Sequence, residues 1–182
     1  MATTKLMTAE DLWQLEDDEH RYDLIRGELI RMSPANAEHG GIAAAIVGEL
    51  RSHVRANRLG RTYAAETGFI LARNPDVVLA PDAAFVRSDR LPPREKWNRF
   101  LELAPDLVVE VVSPSDRWTE INDKVTEYLR RGVALVWIAD PRLQQVTVYT
   151  SDQGPRVFTI KDRLDGGEVL PDFRLPVAEI FE

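Results

Sequence analysis

Leu107-Val-Val-Glu-Val-Val112 is a continuous apolar run that carries a single charge. A β-branched run of this length is typical of a strand that is buried on both faces of a sheet. After it, Ser115 is placed to cap a helix that runs to about Arg131 and ends at Gly132. Residues 133–139 form a second apolar run, so the unit is a strand, a helix and a strand, which we expect to be parallel.

Upstream of this unit the pattern predicts one long helix and two strands. The helix is predicted over residues 38–58, with Gly60 closing it. The two strands are expected over residues 62–72 and 77–86, the second interrupted at Pro81-Asp82. The apolar residues that recur at helical spacing are Ile42, Ile46, Val47, Leu50 and Val54.

The remaining segments are shorter. Residues 8–16 predict a short helix that begins with a Thr cap, and residues 22–32 predict a hairpin. Residues 88–105 are expected to form a loop with one helical turn, and residues 146–149 a strand that pairs back on its neighbour. In the tail we expect one more short strand, followed by Val177, Ile180 and Phe181 docked on the body.

This order predicts an α/β fold, a mixed central sheet of αβββαβ type with helices on both faces. The length of 182 residues suits a single domain over residues 1–182. Within it we distinguish an N-terminal helix and hairpin extension (1–34), a catalytic core (38–150) and a C-terminal strand and tail (151–182).

Composition excludes several classes of site. The chain has no cysteine and three histidines, so disulfides, thiol catalysis and zinc ribbons are excluded. No glycine-rich phosphate loop is present, so we expect no nucleotide cofactor. The net charge of -7 argues against a protein that coats nucleic acid non-specifically. No apolar run approaches a membrane span, and residues 1–11 contain no signal-peptide core, so we expect a cytoplasmic protein.

Two carboxylates stand in apolar strands. Glu110 is the one charge of its strand, and a buried carboxylate is unfavourable unless it is paired or binds a metal. If the strands are neighbours, Asp82 and Glu110 share one end of the sheet, where they repel unless a proton or divalent cation lies between them. Oxygen ligands suit Mg²⁺. The structural alternatives are an ion pair for Glu110 and a turn-forming Pro-Asp pair for Asp82.

Lys124 borders the apolar face of the helix that follows Glu110. Considered alone, it forms a surface i,i+4 pair with Glu120, worth a few tenths of a kcal/mol. In the functional interpretation, its ammonium extends back over the strand end, where it orients a water nucleophile or stabilises charge on a phosphate.

Taken together, these residues resemble the PD-(D/E)XK nuclease superfamily, and within it the Uma-two family of restriction-endonuclease-like proteins. The superfamily motif has Lys two residues after Glu, whereas this chain has Val112, so the resemblance makes Lys124 the replacement. The segments that carry the resemblance are Tyr22-Asp-Leu-Ile-Arg-Gly-Glu-Leu29, Ala80-Pro-Asp-Ala-Ala-Phe85, Leu107-Val-Val-Glu-Val-Val-Ser-Pro-Ser115, Lys124 with Tyr128, and Gly132-Val133 through Trp137 to Asp140-Pro141.

The resemblance implies a Mg²⁺-dependent nuclease that hydrolyses phosphodiester bonds of DNA, with Mn²⁺ as a possible substitute. The metal ligands would be Asp82, Glu110 and the backbone carbonyl of Val111, with Lys124 as the catalytic lysine. Glu66 either adds a catalytic carboxylate or is an exposed strand residue. A homodimer is expected, since two sites can then address two strands.

Several side chains keep two interpretations. Glu28 and His39 are exposed or structural residues, or they contribute to the site. Ser113 and Ser115 donate to a phosphate or only cap a helix. Trp97 and Phe100 contact a second copy, contact DNA or cover the sheet.

Two alternatives to a DNA nuclease concern the whole chain. It is an inactive restriction-like fold with a binding or regulatory role, or a hydrolase of small phosphate esters.

Overall fold

Twelve strands and three α-helices are formed by residues 6–16 and 20–182, which the computed structural model describes. The helices are α1 (Ala9–Trp13), α2 (Ala37–Ala56) and α3 (Trp118–Arg130). The strands are β1 (Arg21–Ile25), β2 (Glu28–Met32), β3 (Gly60–Ala64), β4 (Phe69–Ala72), β5 (Val77–Leu79), β6 (Ala83–Arg87), β7 (Leu107–Val111), β8 (Leu135–Asp140), β9 (Gln145–Thr150), β10 (Arg156–Thr159), β11 (Arg163–Gly166) and β12 (Leu170–Pro176).

The main sheet has six strands in the order β10-β9-β8-β7-β6-β3. Strands β7 and β8 are parallel and are joined by α3, as predicted, while the other neighbours are antiparallel. Along the chain, α2, β3, β6, β7, α3 and β8 follow one another in this sheet with β4 and β5 inserted. The αβββαβ order is therefore confirmed, and the fold is a mixed α/β fold of the restriction-endonuclease type.

Both faces of this sheet are covered because successive β7 side chains point to opposite sides. Leu107 and Val109 pack with α2 in one core cluster, and Val108 and Val112 pack with α3 in the other. Leu107, Val108 and Val109 have no exposed surface, and each such side chain contributes roughly 1.5–3 kcal/mol of hydrophobic stabilisation. Glu110 lies on the α3 side by the same alternation, so the fold directs its carboxylate towards α3.

A second, four-stranded sheet has the order β2-β1-β5-β4. It combines the N-terminal hairpin β1–β2 with the inserted pair β4–β5. The prediction of one strand over residues 62–72 and one over residues 77–86 is therefore wrong, since each segment contains two strands that lie in different sheets. The first break occurs at Glu66, whose φ of 72° cannot continue a strand. The second lies at Ala80-Pro81-Asp82, where proline offers no N–H for pairing.

Helix ends differ from the prediction in two places. Gly60 is already in β3, and Arg58 adopts the left-handed conformation (φ 53°) after α2. The N-cap of α3 is Arg117, not Ser115. At the other end, Gly132 has a φ of 90°, which confirms its predicted role as the terminating glycine. Trp118 is 42% exposed, so it is not part of the buried face of α3.

Both chain ends pack on the sheets. In α1 the side chain of Thr8 accepts from the N–H of Asp11, so the predicted capping is confirmed. Beyond residue 151 the chain forms three strands instead of the predicted one, and Val177 and Ile180 are buried as expected. The part of the N-terminal stretch that lies in residues 1–5 is outside the described residues. Among the helices described, none combines the length and apolar character that a membrane crossing requires.

Candidate active site

A cleft of about 520 Å³ opens between the hairpin β1–β2, the N-terminal half of α3 and the end of β7. It contains Asp82, Glu110, Val111 and Lys124 together. The other residues singled out from the sequence that line it are Glu28, His39, Glu66, Ser113 and Ser115. The fold therefore brings every predicted ligand and catalytic residue to one place, although they come from different elements.

Asp82 is fixed by two contacts on one oxygen. The backbone N–H of Val111 donates to Asp82 Oδ2 over 2.8 Å, and His39 Nε2 lies 3.2 Å from the same atom. The side chain is 14% exposed and lines the cleft. The hydrogen bond to Asp82 raises the pKa of His39 against the opposing effect of burial. His39 lies in the first turn of α2 and is therefore a direct neighbour of Asp82, the predicted metal ligand.

Glu110 is nearly buried, and only 13% of its side chain is exposed. The hydroxyl of Tyr128 donates to Glu110 Oε1 over 2.6 Å. Burial is the largest cause that raises the pKa of Glu110, and the charges of Asp82 and Asp23 add to it, so the pKa lies at about 7 despite Lys124 and Tyr128. A buried carboxyl whose pKa is raised in this way, in a cleft and with specific charged neighbours, is typical of a functional site.

Lys124 points from α3 into this carboxylate cluster. Its Nζ lies 2.8 Å from Asp23 Oδ2 on β1 and 3.5 Å from Glu110 Oε2. Burial lowers the pKa of Lys124, but the two carboxylates outweigh burial and hold the pKa above its ordinary value. Lys124 is therefore a permanent cation in the site, and the surface pair with Glu120 is not its main contact.

The cluster brings three carboxylates together around one lysine. Asp23, Asp82 and Glu110 provide the carboxylates and Lys124 provides an ammonium, while His39 contacts Asp82 and has a raised pKa. A divalent cation between Asp82 and Glu110 would offset the repulsion between these two carboxylates when both are ionised. Among the described residues no three His, Asp or Glu side chains are grouped as a complete metal cage. Two carboxylates with water and substrate oxygens are the ligand set that Mg²⁺ prefers, so the residues fit that ion.

Comparison with known proteins places this geometry in a family. The family model Uma2, described as "Putative restriction endonuclease", matches residues 9–178. The chain belongs to the Uma-two family. A solved structure titled "Crystal structure of a putative nuclease belonging to DUF820" from Anabaena variabilis ATCC 29413 is similar with a TM-score of 0.83 and 24% identity, covering 96% of this chain and 97% of that chain. That likeness shows a shared fold. None of the curated proteins matches significantly.

Other predicted residues of this Uma-two chain lie at the rim of the cleft. Glu66 is 73% exposed on the turn between β3 and β4, with Arg21 at 3.6 Å. Glu28 is exposed at the start of β2. The hydroxyls of Ser113 and Ser115 lie 3.2 Å apart beyond the end of β7, and neither caps α3. These four side chains are accessible from the cleft but make no contact with Asp82 or Glu110 among the described residues.

The aromatic residues of the 88–105 loop cover their own chain. The indole N–H of Trp97 donates to Pro92 O over 2.9 Å, and the guanidinium of Arg61 lies 4.4 Å from the ring centre. Phe100 packs edge-on against Trp13 at 4.9 Å. Neither Trp97 nor Phe100 lines the cleft, so the structure favours the covering role for both.

The sequence of this Uma-two chain did not identify two residues that contact the candidate site. Asp23 is the Lys124 partner, and Tyr128 is the donor to Glu110. The available signal was an acidic residue among apolar neighbours in β1, the same signal that marked Glu110. For Tyr128, the signal was a hydroxyl on the buried face of α3.

Proposed function

We propose that this protein is a Mg²⁺-dependent nuclease that hydrolyses phosphodiester bonds of DNA. The observation that carries the proposal is the convergence of Asp82, Glu110 and Lys124 in one cleft, where the carboxylates outnumber the lysine. Membership of a family described as restriction endonucleases supports DNA as the substrate. Mn²⁺ is the expected substitute, because it accepts the same oxygen ligands.

The carboxylates of Asp82 and Glu110, with the carbonyl of Val111, would hold the cation. When bound, a divalent cation neutralises charge on the scissile phosphate and lowers the pKa of a bound water. Val111 donates its N–H to Asp82 and thereby orients that carboxylate. The raised pKa of Glu110 implies that this residue releases a proton when a cation binds, so metal affinity should increase with pH.

Without a bound cation, the neighbouring carboxylates hold the pKa of Lys124 above its ordinary value, which favours its ammonium form. Its ammonium would stabilise the negative charge that develops on the phosphate as the water oxygen bonds to phosphorus and the bond to the leaving sugar oxygen breaks. The proton lost by the water passes to solvent. Such charge stabilisation by one preorganised group is typically worth about 10²–10³ in kcat.

The experiment is nicking of supercoiled plasmid with Mg²⁺ or Mn²⁺, combined with metal titration by calorimetry. Asp82→Asn, Glu110→Gln and Lys124→Met should each abolish nicking, and only the first two should abolish metal binding. The exposed carboxylate Glu168, which does not line the cleft, provides Glu168→Gln as a matched control with unchanged activity. Absence of nicking by the wild type with both metals would refute the nuclease proposal.

A small phosphodiester is a second candidate substrate, because the cleft is acidic. Among the described residues that line it, nine are Asp or Glu and four are Lys or Arg. Duplex DNA is bound mainly through clustered Lys and Arg, and such binding weakens steeply with salt. Cleavage of a small diester at a rate independent of salt, without plasmid nicking, would favour this candidate. For cleavage of duplex DNA we still expect a homodimer, which sedimentation would test.

A further inference from the structure

The hairpin β1–β2 contributes a side chain to the centre of the site. Asp23 is 1% exposed and lies in the middle of β1, opposite Ile30 of β2. A buried carboxylate is unfavourable unless hydrogen bonds or ion pairs compensate it. Asp23 makes both kinds of contact, and both partners belong to the candidate site and not to the hairpin itself.

The first partner is Lys124. Its Nζ forms an ion pair with Asp23 Oδ2 over 2.8 Å, which is shorter than the 3.5 Å to Glu110 Oε2. A lysine side chain is a flexible four-carbon stem with a point charge, so its position depends on what its ammonium contacts. Asp23 is therefore the group that sets where the Lys124 ammonium lies.

The second partner is the segment that carries Asp82. The backbone N–H of Ala80 donates to Asp23 Oδ1 over 3.1 Å. Ala80 begins the connection from β5 to β6, two residues before Asp82. One carboxylate thus links the hairpin, the helix that carries Lys124 and the turn that carries a predicted metal ligand.

We propose that Asp23 is a positioning residue that holds Lys124 at the scissile phosphate and fixes the Ala80–Asp82 turn. It acts through Lys124 and makes no contact with substrate. The role rests on the proposed function, since it assigns Asp23 to the same reaction. It also makes the hairpin part of the catalytic machinery instead of an extension to the core.

The test compares Asp23→Asn with a matched control outside the hairpin and the cleft. Asp106 is also buried, accepts the N–H of Arg87 and pairs with Arg90, but it does not line the cleft. Asp23→Asn should lower kcat for plasmid nicking by about 10–100-fold and change KM by less than about threefold, because substrate binding is retained and charge placement is lost. Asp106→Asn should lose stability with kcat unchanged.

A second readout does not depend on activity. Lys124 is one of four lysines, and Lys96 and Lys161 are exposed internal standards. With an amine-acylating reagent and peptide mass spectrometry, Lys124 should react at least about fivefold faster in Asp23→Asn than in the wild type, because a side chain released from Asp23 moves out to the reagent more readily. The rates at Lys96 and Lys161 should not change.

The outcomes separate the two proposals. Unchanged kcat in Asp23→Asn, or an equal fall in kcat for Asp23→Asn and Asp106→Asn that follows their stabilities, would overturn the positioning role while the nuclease proposal stands. If the wild type cleaves nothing, the proposed function fails. The labelling experiment then still applies, and equal Lys124 rates in both proteins would overturn the holding role of Asp23 as well.

Discussion

Replacing Glu110 by glutamine should stabilise the cation-free protein even as it removes a proposed metal ligand. Burial, together with Asp82 and Asp23, raises the pKa of Glu110 from 4.5 to about 7. One pKa unit corresponds to about 1.4 kcal/mol, so the folded protein disfavours the ionised Glu110 by about 3 kcal/mol. Glutamine carries no such penalty, and its oxygen can still accept from Tyr128.

The gain should depend on pH in a defined direction. Below about pH 4.5 Glu110 is protonated in both the folded and the unfolded chain, so the substitution has little effect on stability. The destabilisation of the wild type grows as the pH rises from 4.5 towards 7, because Glu110 is ionised in the unfolded chain but stays protonated in the folded one. It reaches its full value above about pH 7. Allowing for the lost Lys124 contact, we expect Glu110→Gln to gain roughly 1–3 kcal/mol at about pH 8.

Urea denaturation of both proteins at about pH 5 and about pH 8, in EDTA and in excess Mg²⁺, would measure this gain. The wild type should recover stability with Mg²⁺ at the higher pH, and Glu110→Gln should not. Glu28→Gln, which alters an exposed carboxylate of the same cleft, should change stability by less than about 0.5 kcal/mol. If Glu110→Gln is less stable than the wild type at high pH in EDTA, burial and the neighbouring carboxylates do not destabilise ionised Glu110, and the reasoning is refuted.

Three further substitutions have expected effects. Tyr128→Phe removes the donor to Glu110 and should cost about 1–3 kcal/mol with a further rise in the Glu110 pKa, measured by denaturation and by carboxyl NMR. Arg26→Ala removes a partner of the buried Glu127 (2.9 Å) and should destabilise the hairpin by about 1–2 kcal/mol. The loss is smaller than that of an unpaired buried charge, because Arg130 and Arg131 remain near Glu127. Faster hydrogen exchange in β1 would show this destabilisation, and unchanged exchange would contradict it. Phe85→Ala opens a cavity in the main core and should cost about 3–5 kcal/mol in urea denaturation, whereas a loss below about 1 kcal/mol would mean that the core collapses around it.

Regular periodicity made most of the main sheet predictable. The β7 run and the apolar spacing of α2 specify which faces are buried, and those faces are found where expected. The second sheet was not predictable, because Gly68 is the one glycine in residues 62–72 and the break depends on a left-handed Glu66. A non-glycine residue in that conformation is set by tertiary context and not by local sequence.

The candidate site divides in the same way. Asp82 and Glu110 could be selected because charged residues in apolar strands require an explanation, whereas Lys124 was assigned through the family resemblance. Asp23 could not be assigned to them, because its hairpin is far from Lys124 along the chain and its sheet was not foreseen. Contacts between residues distant in sequence depend on which sheets form, so a strand pattern alone does not specify them.

The hairpin is attached to the rest of its sheet by few backbone contacts. Only Leu24 and Val78 are aligned between β1 and β5 in the described chain, and the N–H of Gly27 adds one bond to Asp76 O. Segments with few such contacts open locally at a lower free energy than the whole protein unfolds. When this hairpin opens, Lys124 loses Asp23 although the main sheet remains intact. The fraction of molecules with an assembled site is then set by a local opening equilibrium, so two variants with the same melting temperature can differ in how many molecules are competent at any moment.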